Sequence, residues 1–190
     1  MAELRVVAGI DEAGRGPLAG PVVAAAVILN DAKSVAGLRD SKQLSIARRE
    51  CLYNEIISNA VSVAVGVATV EEIDAFNILQ ATLLAMRRAV QRLTITPTIL
   101  LVDGNQDPGI DAIETRCIVR GDVSETVISA ASIVAKVTRD RMMTAYDDQY
   151  PDYGFAKHKG YGTAEHLAVL RRLGPTKLHR RSFAPVKDLC

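Results

Sequence analysis

Between two apolar runs near the start of the chain lies Gly14-Arg15-Gly16-Pro17-Leu18-Ala19-Gly20-Pro21, three glycines and two prolines in eight residues. Proline fixes φ and removes an amide donor, while glycine admits left-handed backbone, so this stretch continues neither a helix nor a strand. The runs on either side, Arg5 to Ile10 and Val22 to Leu29, read as strands. So short a linkage joins them as an antiparallel hairpin, and the remaining elements must pack around it.

Hydrophobic periodicity supplies those elements. A helical pattern runs from Ser45 to about Ser58, with Ile46, Leu52, Ile56 and Ile57 near one face. Val61, Val63, Val65 and Val67 then alternate with small or polar residues, which predicts a third strand. From Glu71 to Leu93 the spacing of Ile73, Phe76, Leu79, Leu83, Met86 and Val90 predicts one long helix. Thr98 to Val102 reads as a buried strand, and Thr115 to Val119 as a weaker one. A helix rich in small residues follows from Val123 to about Tyr146, and a last helix from Thr163 to Leu173 is stopped by Gly174-Pro175. The order β-β-α-β-α-β-β-α with a helical tail predicts an α/β fold: a mixed five-stranded sheet flanked by helices, with a small C-terminal helical appendage. Residues 1–150 would form the sheet domain. Residues 151–190 would be a basic helical segment packed on that domain and contacting substrate.

With 48% hydrophobic residues in 190, the chain can bury a substantial core. No apolar run approaches the roughly 18 to 20 residues of a membrane helix, and no basic, apolar and cleavable leader opens the sequence, so the expected location is the cytoplasm. Cys51, Cys117 and Cys190 are scattered, with no histidine at zinc-ligand spacing, so any bound metal must use oxygen ligands. The net charge of +1 conceals an asymmetry. Tyr153 to Cys190 carries eight bases against two acids, a local balance of +6, which leaves −5 on the rest. An acidic body with a basic end suits a cation site beside a polyanion-binding surface.

The acids that matter fall at the ends of core elements. Asp11 and Glu12 follow the first strand, Asp103 ends the Ile99 to Val102 run, and Asp122 stands at the entrance to the long helix. Converging strand ends bring such carboxylates together, where they repel unless a cation neutralises them, and oxygen-rich sites select Mg²⁺ or Mn²⁺. On a pleated strand Asp11 and Glu12 point to opposite faces, so both serve one site only if the strand breaks there or one contributes its carbonyl. Each acid also has an ordinary explanation: Asp103-Gly104 as a turn, Asp122 with Glu125 as a capping box, and Asp11-Glu12 as a solvated strand end.

The glycine turn weighs against those ordinary explanations, because it specifies far more backbone than a hairpin needs. Glycine lets backbone approach a ligand closely, and a ribose 2′-OH, donor and acceptor at once, is a ligand that distinguishes RNA from DNA. Gly9-Ile10-Asp11-Glu12-Ala13-Gly14-Arg15-Gly16-Pro17 closely resembles the opening motif of the bacterial ribonuclease HII family. Further resemblances are carried by Asp40-Ser41-Lys42-Gln43-Leu44-Ser45, Val102-Asp103-Gly104-Asn105, Gly121-Asp122, Ile128 to Val137, His158 to Thr163 and His179 to Phe183. One departure is Gln43, where the family commonly has a second lysine.

The resemblance implies an RNase H-like fold and places the catalytic, metal-holding acids at Asp11, Glu12, Asp103 and Asp122, with Mg²⁺ or Mn²⁺ as cofactor. It implies 2′-OH recognition by Gly14, Arg15 and Gly16, a phosphate contact from Lys42, and packing of Tyr161 on a sugar at the RNA–DNA junction. The implied substrates are RNA–DNA hybrid and duplex DNA containing single ribonucleotides, cut on the 5′ side of the ribonucleotide to leave 3′-hydroxyl and 5′-phosphate ends. The alternatives are a DNA-acting nuclease of the same architecture and a non-catalytic hybrid-binding protein. Lys157, Lys159 and Tyr161 form a basic loop suited to phosphates, and Arg180 and Arg181 are candidates for further phosphate contacts or for capping and ion pairs. His158, His166 and His179 are read as surface or packing residues. No obligate protein partner is expected, and the chain is expected to be a monomer.

Overall fold

A computed structural model describes residues 5–33, 35–38 and 44–189. Five strands, β1 (Val7–Ala13), β2 (Val22–Ile28), β3 (Ser62–Ala68), β4 (Ile99–Asp103) and β5 (Glu114–Ile118), form one sheet in the order β3-β2-β1-β4-β5. The β1–β2 and β2–β3 pairs are antiparallel, and β1–β4 and β4–β5 are parallel, so the sheet is mixed as the sequence predicts.

Every residue of β2 is buried, because helices cover both faces of the sheet. Val22, Ala24, Ala26 and Ile28 join the core beneath α3 (Ile78–Gln91), while Ala25 and Val27 join the core beneath α5 (Thr126–Gln149). Small side chains let the helices come close. A Cβ built on Gly9 of β1 would lie 2.3 Å from the Val127 backbone, so only glycine permits this approach of α5. Two residues along β1 and about one helical turn along α5, the same contact line brings Asp11 against Ser132.

The helices differ from expectation in two places. The stripe from Glu71 to Leu93 is two helices, α2 (Val70–Phe76) and α3, because Asn77 adopts φ 73° and its side-chain oxygen accepts from the amides of Leu79 and Gln80. That cap starts a new helix while the apolar stripe continues past it. The expected helix from Val123 is likewise divided. A short turn, α4 (Gly121–Ser124), holds Asp122, Glu125 is extended, and α5 then begins at Thr126. Neither α4 nor α5 has a side-chain cap at its N-terminus, so the capping-box explanation of Asp122 does not hold. α1 (Ile46–Asn59) starts from its Ser45 cap, and α7 (Ala164–Leu173) starts at Thr163 and ends at Gly174 as expected. A short α6 (Phe155–His158) and a 3₁₀ turn (Val186–Leu189) complete the chain. Among the described residues, no helix is long and apolar enough to cross a membrane.

Candidate active site

β1 and β4 are parallel neighbours whose paired register ends at Ile10 and Val102, so Asp11 and Asp103, each the next residue, stand abreast at the carboxyl end of the sheet. In sheets of this kind ligands bind beyond the carboxyl ends of the strands. A cleft of about 410 Å³ opens there, lined by Asp11, Glu12, Ala13, Gly14, Arg49, Asp103, Ser132, Lys136, Arg139 and Tyr161.

Contrary to one expectation, β1 does not break at the acids: it stays paired with β2 through Ala13. Asp11 faces α5, and Glu12 lies on the opposite side, where with Asp103 it also borders a shallow recess containing Asn105 and Leu83. Both acids nevertheless reach one cleft because β4 ends beside them. Asp11 is not a solvated strand end either, being only 5% exposed. Its carboxylate accepts the Glu12 amide at 2.7 Å. Burial, then the negative Glu12, and more weakly Asp103, hold the Asp11 carboxyl well above the usual carboxylate range, against the opposing Ser132 hydroxyl and Glu12 amide. Burial also raises Glu12; Arg15, whose guanidinium lies 3.2 Å from its carboxylate, opposes that rise, and Asp103 adds to it.

Asp122 lies behind Asp103, not in the cleft wall. It is 2% exposed, and its amide donates to Asp103 Oδ1 at 3.2 Å, tying α4 to the end of β4. Among the described residues, no three Asp, Glu, His or Cys side chains form a ready-made metal cage. The donor set nonetheless fits a hard divalent cation: the cleft gathers carboxylate oxygens whose mutual repulsion and burial raise the proton affinity of Asp11, and a cation relieves both.

Tyr161 is 45% exposed and overlooks the same cleft. Lys159 is displaced from it, donating to Thr144 Oγ1 at 2.7 Å and lining an adjoining groove with Arg49, Arg141 and Lys157. Lys42 and Gln43 lie outside the described residues. Arg180 corrects a sequence expectation: it is fully buried and donates to backbone carbonyls of the glycine turn, so it is no phosphate contact. Arg181 uses its amide, with that of Ser182, to bond the Asp74 carboxylate.

Sequence reasoning missed Ser132, Lys136 and Arg139, all in the cleft wall. Their spacing of four and three residues places them on one face of α5, and the signal available was Ser132 and Lys136 within its otherwise small and apolar first half. The three histidines are packing residues, all buried. His158 Nε2 meets the Tyr153 carbonyl, His166 Nδ1 the Tyr161 carbonyl, and the Nε2 atoms of His166 and His179 stand 3.0 Å apart.

Residues 8–186 match the family model described as Ribonuclease HII. The chain is 61% identical over 181 residues to "Ribonuclease HII" of Delftia acidovorans, covering 95% of this chain and 77% of that protein. It is 58% identical over 184 residues to "Ribonuclease HII" of Coxiella burnetii, covering 97% and 91%. The solved ribonuclease H2 of Pyrococcus horikoshii OT3 superposes with a TM-score of 0.80 at 28% identity over 96% of each chain. The fold is therefore RNase H-like, and the chain belongs to the ribonuclease HII family.

Proposed function

We propose that this ribonuclease hydrolyses the phosphodiester on the 5′ side of a ribonucleotide, in RNA–DNA hybrid and at single ribonucleotides within duplex DNA, leaving 3′-hydroxyl and 5′-phosphate ends. The observation that carries this reading is a single cleft in which Asp11, Glu12 and Asp103 share the wall with Gly14 of the glycine turn and with Tyr161. A group that tests for ribose thus stands beside groups that hold charge at a phosphate.

Asp11, Glu12, Asp103 and Asp122 would hold Mg²⁺ or Mn²⁺. Bound there, such a cation supplies an activated water and neutralises the leaving oxygen of the displacement. The chain's own residues do the rest. Asp11 is fixed by Ser132 and the Glu12 amide, and the Asp122 amide fixes Asp103, so two carboxylates keep their positions without a ligand. Arg15 partly neutralises Glu12. Lys136 and Arg49, on the cleft wall, oppose the substrate's phosphate charge. Gly14, Arg15 and Gly16 read the 2′-OH, Tyr161 packs on the sugar, and Lys159 and Lys42 contact phosphates of the flanking duplex. The basic segment 151–190 contributes Tyr161 and Lys159 to this surface.

Synthetic duplexes containing one ribonucleotide, four consecutive ribonucleotides or none test the reading. Cutting confined to the first two, with 5′-phosphate ends immediately 5′ of a ribonucleotide, is expected. Cleavage of the all-DNA duplex at a comparable rate would contradict it.

A further inference from the structure

Two guanidiniums run beneath the glycine turn, and among the described residues neither forms an ion pair with a carboxylate. Arg180, 0% exposed, donates through Nη2 to Gly14 O at 2.5 Å and Gly20 O at 2.8 Å, through Nη1 to Arg15 O at 2.9 Å, and through Nε to Gly20 O at 2.9 Å. Its backbone amide takes the Leu18 carbonyl at 2.9 Å. Arg139, 1% exposed, donates to the carbonyls of Ala19, Pro21 and Lys159, each at 3.0 Å. Burying a cation without a directly paired anion costs several kcal/mol unless other groups offset it, and here the carbonyls of the turn do so, with the more distant Asp74 favouring the Arg180 charge. Burial, with Arg139 reinforcing it, pushes Arg180 down to about 9, so it remains a cation at neutral pH.

The consequence lies on the other side of each peptide. In a trans peptide the C=O and N–H point in opposite directions. With the Gly14 and Arg15 carbonyls turned inward onto Arg180, the amides of Arg15 and Gly16 turn outward. Among the described residues these two amides have no acceptor, whereas those of Leu18 and Gly20 are taken by the carbonyls of Gly160 and Leu178 at 2.8 Å. A buried charge on the carbonyl side also polarises both peptides and strengthens them as donors. We propose that Arg180 is a positioning residue for ribose selection: its guanidinium fixes the Gly14 and Arg15 peptides so that the amides of Arg15 and Gly16 form a paired donor for the substrate's 2′-oxygen. This rests on the reading of the turn as the ribose reader.

The test uses the full chain with a duplex containing one ribonucleotide, measuring kcat, KM and Tm for wild type, Arg180→Lys and Arg180→Ala. Lysine keeps the charge but cannot span the Gly14, Arg15 and Gly20 carbonyls together. For Arg180→Lys, assayed well below its own Tm, kcat should fall about 10- to 100-fold with KM changed less than about threefold, the pattern of lost orientation. Millimolar guanidinium should restore part of the kcat of Arg180→Ala, and none of that of Asp11→Asn. A kcat of Arg180→Lys within about twofold of wild type overturns the proposal. So does a loss confined to KM, the pattern of a phosphate contact, and so does guanidinium that restores the Tm of Arg180→Ala without its kcat, the pattern of a packing role. A wild type indifferent to ribose overturns the proposed function and this assignment with it, whereas a selective wild type beside an unaffected Arg180→Lys overturns the assignment alone.

Discussion

Among the described residues, Tyr161 is the only neighbour that a Cβ at Gly16 would meet: built there, it lies 3.8 Å from Tyr161 Cε1, an ordinary van der Waals contact. Gly14, two residues earlier, is different. It has φ +101°, and a Cβ on it would lie 2.1 Å from Arg139 Nε. Among the described residues, packing demands glycine at position 14 but not at 16, and the proposed reading of the turn puts the reason for Gly16 on its ligand side. Gly14→Ala should cost well over about 2 kcal/mol, from left-handed strain plus displacement of Arg139. Gly16→Ala should leave Tm within about 1 °C of wild type while lowering cutting at a single ribonucleotide at least tenfold. Thermal melts and single-turnover rates of the two variants check this; a fully active Gly16→Ala would remove the turn from ribose recognition.

Tyr161→Ala addresses the aromatic ring beside the turn. With nearly half its surface exposed, this side chain contributes little to the core, so the variant should fold normally. It should slow cutting at single ribonucleotides by about tenfold, in line with the roughly 1–3 kcal/mol of aromatic stacking. An unchanged rate would mean that the ring does not touch the sugar.

The acidic cluster carries a stability cost of definite sign. Burial and neighbouring charge hold Asp11 well above its ordinary 3.8, and Glu12 is raised above 4.5. A carboxyl with a raised folded-state pKa stabilises the fold below its unfolded pKa, and that contribution is lost as pH rises through the folded value. At neutral pH without metal, then, the two buried carboxyls oppose folding. Asp11→Asn should melt above wild type in EDTA, by about 2–4 °C for each kcal/mol relieved, while losing activity. Mn²⁺ should raise the Tm of wild type more than that of the variant. A variant less stable than wild type in EDTA would show that Asp11 is held by favourable contacts alone.

The histidine cluster acts in the opposite direction. Gly160 N donates to His158 Nδ1 and Thr176 N to His179 Nδ1, and the Tyr161 carbonyl requires a proton on His166 Nδ1, so every remaining ring nitrogen is already committed in the neutral state. Burial, then His166 and His158, lowers His179 from 6.5 to about 4, and burial also lowers His166. A base with a depressed folded pKa stabilises the fold above its unfolded value, and the contribution is lost as pH falls through the folded one. Wild-type Tm in EDTA should therefore fall between pH 6.5 and 4 more steeply than that of His179→Gln. Parallel curves would show that His179 does not titrate in this window.

Most of the architecture was legible because apolar strand runs and helical stripes alternate along the chain, with only β5, the partly exposed Glu114–Ile118, weakly marked. Asn77 was not, since one capping side chain ends α2 without interrupting the apolar stripe that defines both helices. The acids at strand ends were visible as a set. Their facing was not, because that Asp11 and Glu12 share a cleft depends on β4 ending beside them, a fact of sheet register. Arg180 was least legible of all. A basic residue in a basic tail suggests phosphate, and nothing local reveals that the chain carries it beneath a turn more than 160 residues earlier.

The most direct test is cleavage of a DNA duplex containing one ribonucleotide by wild type and Asp122→Asn, each with Mg²⁺, Mn²⁺ or EDTA. Cutting on the 5′ side of the ribonucleotide by wild type with either metal, none in EDTA, and a loss of at least about 100-fold in the variant are the predicted results. Cutting that survives EDTA, or an Asp122→Asn enzyme as fast as wild type, would contradict the metal-holding role of these acids.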